Sequence, residues 1–416
     1  MKKYFVILCL AMSLSGLMGV NTSKSIFFAD SYMLRAQGVE ANYWNPAKLK
    51  EMKYVDLWFP GVNTGVFVGN NALDLDFYNY VMSRDVLTEE DKDELLSRFD
   101  RNLTLQATGN MSLFGFTTGN LALSSTANFY SKASVSKKYL RLLLNGNTDD
   151  EYNFTLANNN ISSLSYADVT LGMGDLKMPF LPESFPEIKM GFSAGLLIGL
   201  YSLDTKDYHG YFGQNIDDGA SLSQDITLRT GIGGYGFKGM LGMYSEITPN
   251  LEAGITLDNV ASSLNWSLIK KDLNYKFEAQ NVYVSNIGED FFTQSHEETD
   301  GEAFVTELPP ELRVALLYKL KFLSVSADYV QGFKDSVVTN KSGRLAMGLK
   351  LVPMKWLPIT FGVSLPQGTN KLKTSYGIGL ADKFVELGLA VQTYDSFLPG
   401  YSSKGLSFAT NLRVWF

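Results

Sequence analysis

Long runs of strict two-residue alternation constrain this chain more than any other feature. Between residues 188 and 200, Ile188, Met190, Phe192, Ala194, Leu196, Ile198 and Leu200 alternate with Lys189, Gly191, Ser193, Gly195, Leu197 and Gly199. The pattern returns at Leu251–Asp258, Leu312–Lys319, Arg344–Leu351, Ile359–Leu365 and Val385–Val391. A period of two puts one set of side chains on each face of a strand, so each run reads as a strand with one apolar face. Two architectures give this texture: soluble sandwiches with the apolar face inward, and a transmembrane barrel with it outward. The runs reach about 9–12 residues, the length a tilted membrane strand needs. The last run keeps the same alternation to its end. Phe408, Thr410, Leu412, Val414 and Phe416 alternate with Ala409, Asn411, Arg413 and Trp415, and the sequence stops on that aromatic. An all-β, antiparallel transmembrane β-barrel is therefore expected. Roughly 12 to 16 runs can be counted, and single-chain barrels take even numbers, so the expectation is about 14 strands.

Composition narrows the chemistry. Net charge is −7 and the charged fraction is 19%, which excludes a basic nucleic-acid binder. Lys2 and Lys3 precede the apolar run Tyr4 to Val20, the layout of a secretory signal peptide. Residues 1–20 are read as that signal. The one cysteine, Cys9, lies within it. A mature chain then has no thiol for a disulfide, a thiolate metal site or a nucleophile.

Three stretches break the alternation. Residues 21–50 precede the first clear strand. Residues 87–99 contain Thr88 as a helix N-cap, Asp91 three residues on and an apolar stripe of Leu95, Leu96 and Phe99, the signature of a short helix. Residues 137–144 are expected to form a second. Both read as inserts that plug or cap the barrel. The acidic stretch 286–308 reads as a surface loop. The inward charges Arg229, Glu252, Asp258, Arg313, Asp328, Arg344, Lys350, Glu386 and Arg413 are expected to pair across the lumen, since buried charges need partners.

Catalytic motifs fail on context. Gly191-Phe192-Ser193-Ala194-Gly195 matches a nucleophile elbow, which needs a strand, a sharp turn and a helix. Here alternation runs straight through Ser193. Gly231 to Gly236 matches a dinucleotide fingerprint, but no helix follows; in a barrel such glycines permit tight curvature or close approach to a plug. No catalytic residue, metal site or cofactor is assigned, and no enzyme is expected.

The segment Ala36–Leu49, with Trp44, Asn45, Pro46 and Ala47 after a Gly/Ala-rich turn, resembles the N-terminal signature of FadL-like outer-membrane barrels and their PorV-like relatives. Leu308–Arg313 and Ser326–Tyr329 resemble the same superfamily, in an uncharacterised branch. The closing strand resembles the C-terminal recognition strand of bacterial outer-membrane barrels, which implies that Phe408, Leu412, Val414 and Phe416 form its barrel-assembly signal. The resemblance implies a barrel at 51–416 with residues 21–50 folded inward as a hatch, and Trp44, Asn45, Pro46 and Ala47 within it. It implies location in the cell outer membrane and contact with outer-membrane lipid and the barrel-assembly machinery. It also implies a passive channel for hydrophobic small molecules. The alternative it implies is a PorV-like non-transport scaffold, the partner of a protein-secretion system.

Overall fold

The computed structural model describes residues 22–50, 55–146, 151–178, 186–215, 219–282, 292–365 and 372–416. The signal-peptide reading of residues 1–20 lies outside them. Fourteen antiparallel barrel strands close one sheet. Strand β1 comprises Asp56–Trp58 and Thr64–Asn70; β2 is Asn102–Thr118, β3 Leu121–Ser136, β4 Asn160–Lys177, β5 Ile188–Asn215 and β6 Gly219–Thr248. Strand β7 runs through Leu251–Asp258 and Ser262–Val282, and β8 through Phe292–Asp300, Phe304–Thr306 and Glu311–Lys319. Then come β9 (Leu323–Gly332), β10 (Arg344–Met354), β11 (Leu357–Leu365), β12 (Lys373–Ala381), β13 (Val385–Tyr394) and β14 (Gly405–Trp415). Strand β14 pairs with β1 on both sides of its interruption, Asp56 against Trp415 and Thr64 against Thr410. Among the described residues no barrel edge is left unpaired, as a lipid environment demands.

The alternation sorts as read. Phe192, Leu196, Ile198 and Leu200 are between 46% and 67% exposed, whereas Ser193 and Leu197 face inward and are buried. Ser193 sits in mid-strand. His209 lies sixteen residues further along the same strand, roughly 50 Å away at about 3.3 Å per residue. The two cannot form a catalytic pair.

Two expectations are corrected. Residues 292–300 and 304–306 are strand, not loop. There β5 to β8 extend far beyond the other strands. Strand β5 alone has 28 residues, against the 9–11 or so that cross a bilayer. Residues 293–300 are exposed along their whole length, so Phe292–Asp300 carries no apolar alternation, and its ladder with β7 holds it in place.

The second correction concerns the helical inserts. The stretch 87–99 yields one helix, Glu89–Ser97, preceded by another at Leu75–Ser83, and a third spans Lys137–Asn145. They do not plug the lumen. Leu96, Phe99 and Leu140 bury against Leu103, with Val135 packed alongside. Leu103 pairs with Val135, and alternation places both on the same face as lipid-side Met111 and Leu123. The helices therefore clamp the outer wall at the long-loop rim. Thr88 and Asp91 form a reciprocal capping box on Glu89–Ser97. Thr88→Ala is expected to cost about 1 kcal/mol locally. Limited proteolysis checks this: cleavage rises within 84–98 and the barrel stays intact.

Candidate functional site

Residues 22–49 occupy the barrel interior as a chain of short helical turns, almost all of it buried. Pro46 disfavours helix at the residue before it. Asn45 is accordingly extended, with φ −158° and ψ 97°, and its Oδ1 accepts from the Ala47 amide at 3.1 Å. Asn45 Nδ2 donates to the Met243 carbonyl at 3.0 Å, tying this turn to β6. Trp44 donates to Thr22 Oγ1 at 2.9 Å and lies under the Arg313 guanidinium, 4.6 Å from its ring. Asn42 donates to Ser124 Oγ at 2.8 Å and to the Thr170 carbonyl at 3.0 Å. Tyr43 donates to Asp168 at 2.7 Å.

Glycines let the segment come this close. A Cβ on Gly191 would fall 2.3 Å from the Ala47 nitrogen, and one on Gly174 would fall 1.9 Å from the Pro46 oxygen. Opposite, a Cβ on Gly362 would fall 2.2 Å from the Phe28 carbonyl carbon. These glycines stand on the inward face of the alternation, so the sequence carried a signal: the inward partners of apolar residues are often glycine where serine would serve a water-filled pore. The glycines at 231–236 do something else. Gly231 and Gly234 make room for the Trp266 indole, and Gly236 for the backbone of β7, rather than for the N-terminal segment.

Charges bind the segment to the wall. Lys24 pairs with Glu386 at 2.9 Å, Asp30 with Lys373 at 2.7 Å, and Lys48 with Glu252 at 2.8 Å. Ser31 Oγ and the Met33 amide donate to Asp328 at 2.6 and 3.0 Å. Burial pulls the Lys48 ammonium down to about 8, against the pull of Glu252. Burial alone would raise the Asp30 carboxyl, but Lys373 and then Arg344 outweigh it and hold it below its ordinary value. A depressed carboxyl stabilises the docked state at neutral pH and loses that contribution as pH falls through its lowered value. Of the inward charges read from sequence, Arg313 pairs with Glu311 and Asp258, Arg413 with Asp56, and Arg229 with Asp204. The Lys350 side chain makes no hydrogen bond or ion pair among the described residues.

Beyond the N-terminal segment, toward the long-loop end, the lumen turns apolar. Tyr130, Leu164, Tyr166, Leu197, Leu264, Trp266, Phe304 and Leu308 form one buried cluster. Their strand positions share the inward face with Gly199, Gly231 and Gly234, whose Cβ positions abut Trp266. Val337 and Val338, from the connection between β9 and β10, fold down onto this layer. Between it and Tyr43 a cavity of about 40 Å³ remains, bordered by Lys238, which pairs with Asp168, and by Asn128, Tyr130 and Tyr166. That is space for about one water. The lumen is thus closed twice in series, by the N-terminal segment, whose own apolar side chains pack together inside the barrel, and by this second apolar layer. Sequence reasoning missed this layer because its members come from β3, β4, β5, β7 and β8 and share no motif.

The sequence-read terminal residues lie on the closing strand. Phe408 and Phe416 are more than half exposed, and the Phe416 backbone exchanges hydrogen bonds with Val55 at 2.8 and 3.1 Å. Strand β1 is irregular at 59–63: nine residues from Asp56 to Thr64 face only six from Trp415 to Thr410. Side chains replace the ladder there. Asn63 Oδ1 accepts from the Leu412 amide at 2.6 Å, and Thr410 Oγ1 donates to the Val62 carbonyl at 2.6 Å.

A family model described as a family of unknown function, DUF5723, matches residues 46–239. No curated protein matches the chain in sequence. Among solved structures, a Pseudomonas aeruginosa FadL homologue superposes with a TM-score of 0.50 at 11% identity, covering 96% of this chain and 99% of that one. The Ralstonia pickettii toluene transporter TbuX gives 0.48 at 11% identity, covering 97% and 99%. With its closed 14-stranded barrel and its end-to-end match to the FadL homologue, the chain has the fold of the FadL-like outer-membrane barrels.

Proposed function

We propose that this protein is a passive outer-membrane channel for small hydrophobic molecules, with residues 22–49 as its hatch. In such barrels the longer loops face outward and the short turns face the periplasm. The Val337–Val338 connection is then the outer closure and the N-terminal segment the inner one. One observation carries the reading: outside the hatch a layer of aromatic and aliphatic side chains around Trp266 crosses the lumen, beside polar inward residues such as Asn128, Ser163 and Ser193. A water-filled porin lines its lumen with polar groups. An apolar constriction dewets and excludes ions, while an apolar solute replaces the contacts it displaces. The ladder between β1 and β14 is interrupted at 59–63, and we assign this gap as the exit into the membrane. The similarity in fold to the FadL homologue supports a channel and does not name a solute.

Trp266 is the largest side chain of the apolar layer and carries the test. In proteoliposomes, uptake of an apolar probe such as toluene is expected to exceed uptake of glucose. Trp266→Ala removes the indole, at a cost of about 3–5 kcal/mol to the layer, and is expected to change apolar uptake at least tenfold while glucose stays excluded. Equal uptake of toluene and glucose by the native protein contradicts the reading.

The PorV-like scaffold is the second reading. The tall wall of β5 to β8 favours it, because it is longer than a bilayer crossing requires and its stretch 293–300 is exposed to a protein partner. Binding of a stoichiometric secretion-system subunit, with no apolar uptake, would decide for it.

A further inference from the structure

At the short-turn end, between the hatch and strands β8 to β10, β13 and β14, lies a second cavity of about 280 Å³. It has room for about nine waters at roughly 30 Å³ each. Its lining is unbalanced in charge: six cations and one carboxylate, Glu386. Three of the cations are committed to carboxylates, Lys24 to Glu386, Lys319 to Glu252 and Arg413 to Asp56. Arg35 spends its guanidinium on Ser324, Ser326 and the Gly348 carbonyl at 2.8–3.0 Å, with no ion pair among the described residues. The Lys321 and Lys350 side chains have neither an ion pair nor a hydrogen bond among the described residues; Glu386, already paired with Lys24, attracts Lys350 only through space. Such a site lacks an anion.

The remaining lining says what kind. Lys321 stands in the turn between β8 and β9, flanked by Leu320 and Phe322, which are 49% and 59% exposed. Leu323 and Val352 continue the apolar side into the cavity. Cations within and exposed apolar side chains at the rim fit a molecule with an anionic head and a greasy tail, at the level where a membrane leaflet ends. Basic pockets at such a boundary take up anionic lipid headgroups.

We propose that this cavity is a binding site for an anionic phospholipid of the adjoining leaflet, its phosphate on Lys350 and Lys321 and its acyl chains against Leu320 and Phe322. The phosphate adds a negative charge beside Lys24 and Arg35, both part of the N-terminal segment. Bound lipid therefore favours the docked segment by relieving repulsion among the clustered cations.

Native mass spectrometry of the full chain in nanodiscs tests this. The probes are phosphatidylglycerol and phosphatidylcholine at equal fraction, and inorganic phosphate in lipid-free detergent. The expected result is one retained phosphatidylglycerol, preferred at least tenfold over phosphatidylcholine and reduced at least tenfold in Lys321→Gln/Lys350→Gln. Lys321→Gln alone, in an exposed turn, keeps the test open should the double variant misfold; a reduction of about threefold is expected for it. Equal retention of the two lipids, or unchanged retention in the variants, overturns the site. Retention of inorganic phosphate as strongly as the lipid overturns its assignment to a lipid. The readout is bound lipid, so it is independent of whether the barrel transports anything.

Discussion

Gly191→Ala is expected to expel the N-terminal segment from the barrel and leave the barrel closed. The new Cβ lands 2.3 Å from the Ala47 nitrogen and 2.4 Å from the Pro46 carbonyl carbon. Neither atom can swing aside as a side-chain tip does, because both belong to backbone next to a proline with fixed φ. The cost is expected to exceed the roughly 1–3 kcal/mol typical of overpacking. The strand ladder is untouched, since the alanine points away from it. Trypsin reads the outcome: Lys24, Arg35 and Lys48, protected in the native protein, become cleaved, and bilayer recordings show a new conductance. Gly362→Ala should do the same from the opposite wall, where the clash is with Phe28 at 2.2 Å. Gly109→Ala is the control, its Cβ meeting only Phe129 at 3.9 Å. A Gly191→Ala protein whose N-terminal segment stays protected would show that the close approach is unimportant.

Asp168→Asn is expected to have the second largest effect. This carboxylate is fully buried and accepts from Tyr43 Oη at 2.7 Å, Lys238 Nζ at 2.5 Å, and the Thr126 amide and hydroxyl at 3.2 Å each. It is the point where the N-terminal segment, β3, β4 and β6 meet. An amide keeps the shape and loses the charge, leaving the Lys238 ammonium buried without its partner. Breaking a buried pair from one side costs about 3–5 kcal/mol. Urea unfolding in detergent should register a loss of that size. Asp168→Asn/Lys238→Met, which removes both charges, should recover most of it, because apolar replacement of a whole pair is often near neutral. A loss below about 1 kcal/mol for the single change would mean that water already solvates Lys238.

The barrel was legible in the sequence because lipid imposes a strict rule on every second residue. Ile188 to Leu200 could be assigned to faces one residue at a time. Residues 219–248 form one strand, β6, although Gly231, Gly233, Gly234 and Gly236 break the apolar alternation along it. Where lipid stops, so does the rule. Phe292 to Asp300 is a strand exposed along 293–300 and read as a loop. Leu103 and Val135 face the lipid side, yet helices cover them, and nothing in a linear pattern says on which side of a wall a helix will lie. The interior was legible in part. Trp44 to Ala47 stood out through the resemblance to FadL-like barrels, and the structure packs all four against the wall. The partners Met243, Asp168, Glu252 and Lys373 are scattered over some 200 residues of sequence, and only closure of the sheet brings them to one place. The apolar layer around Trp266 hid for the same reason.

The central claim is that the N-terminal segment must move for a hydrophobic molecule to pass. A reversible tether tests it most directly. The sequence holds one cysteine, Cys9, so an engineered pair meets little competition. Asn42 and Ser124 already touch at 2.8 Å through their side chains, and Asn42→Cys/Ser124→Cys joins the segment to β3. Uptake of the apolar probe into proteoliposomes is then measured with the pair oxidised and again after reduction. The expected result is uptake near background when the tether is closed and full recovery when it opens. Equal uptake in both states would show that the segment is a fixed plug and that any passage goes around it.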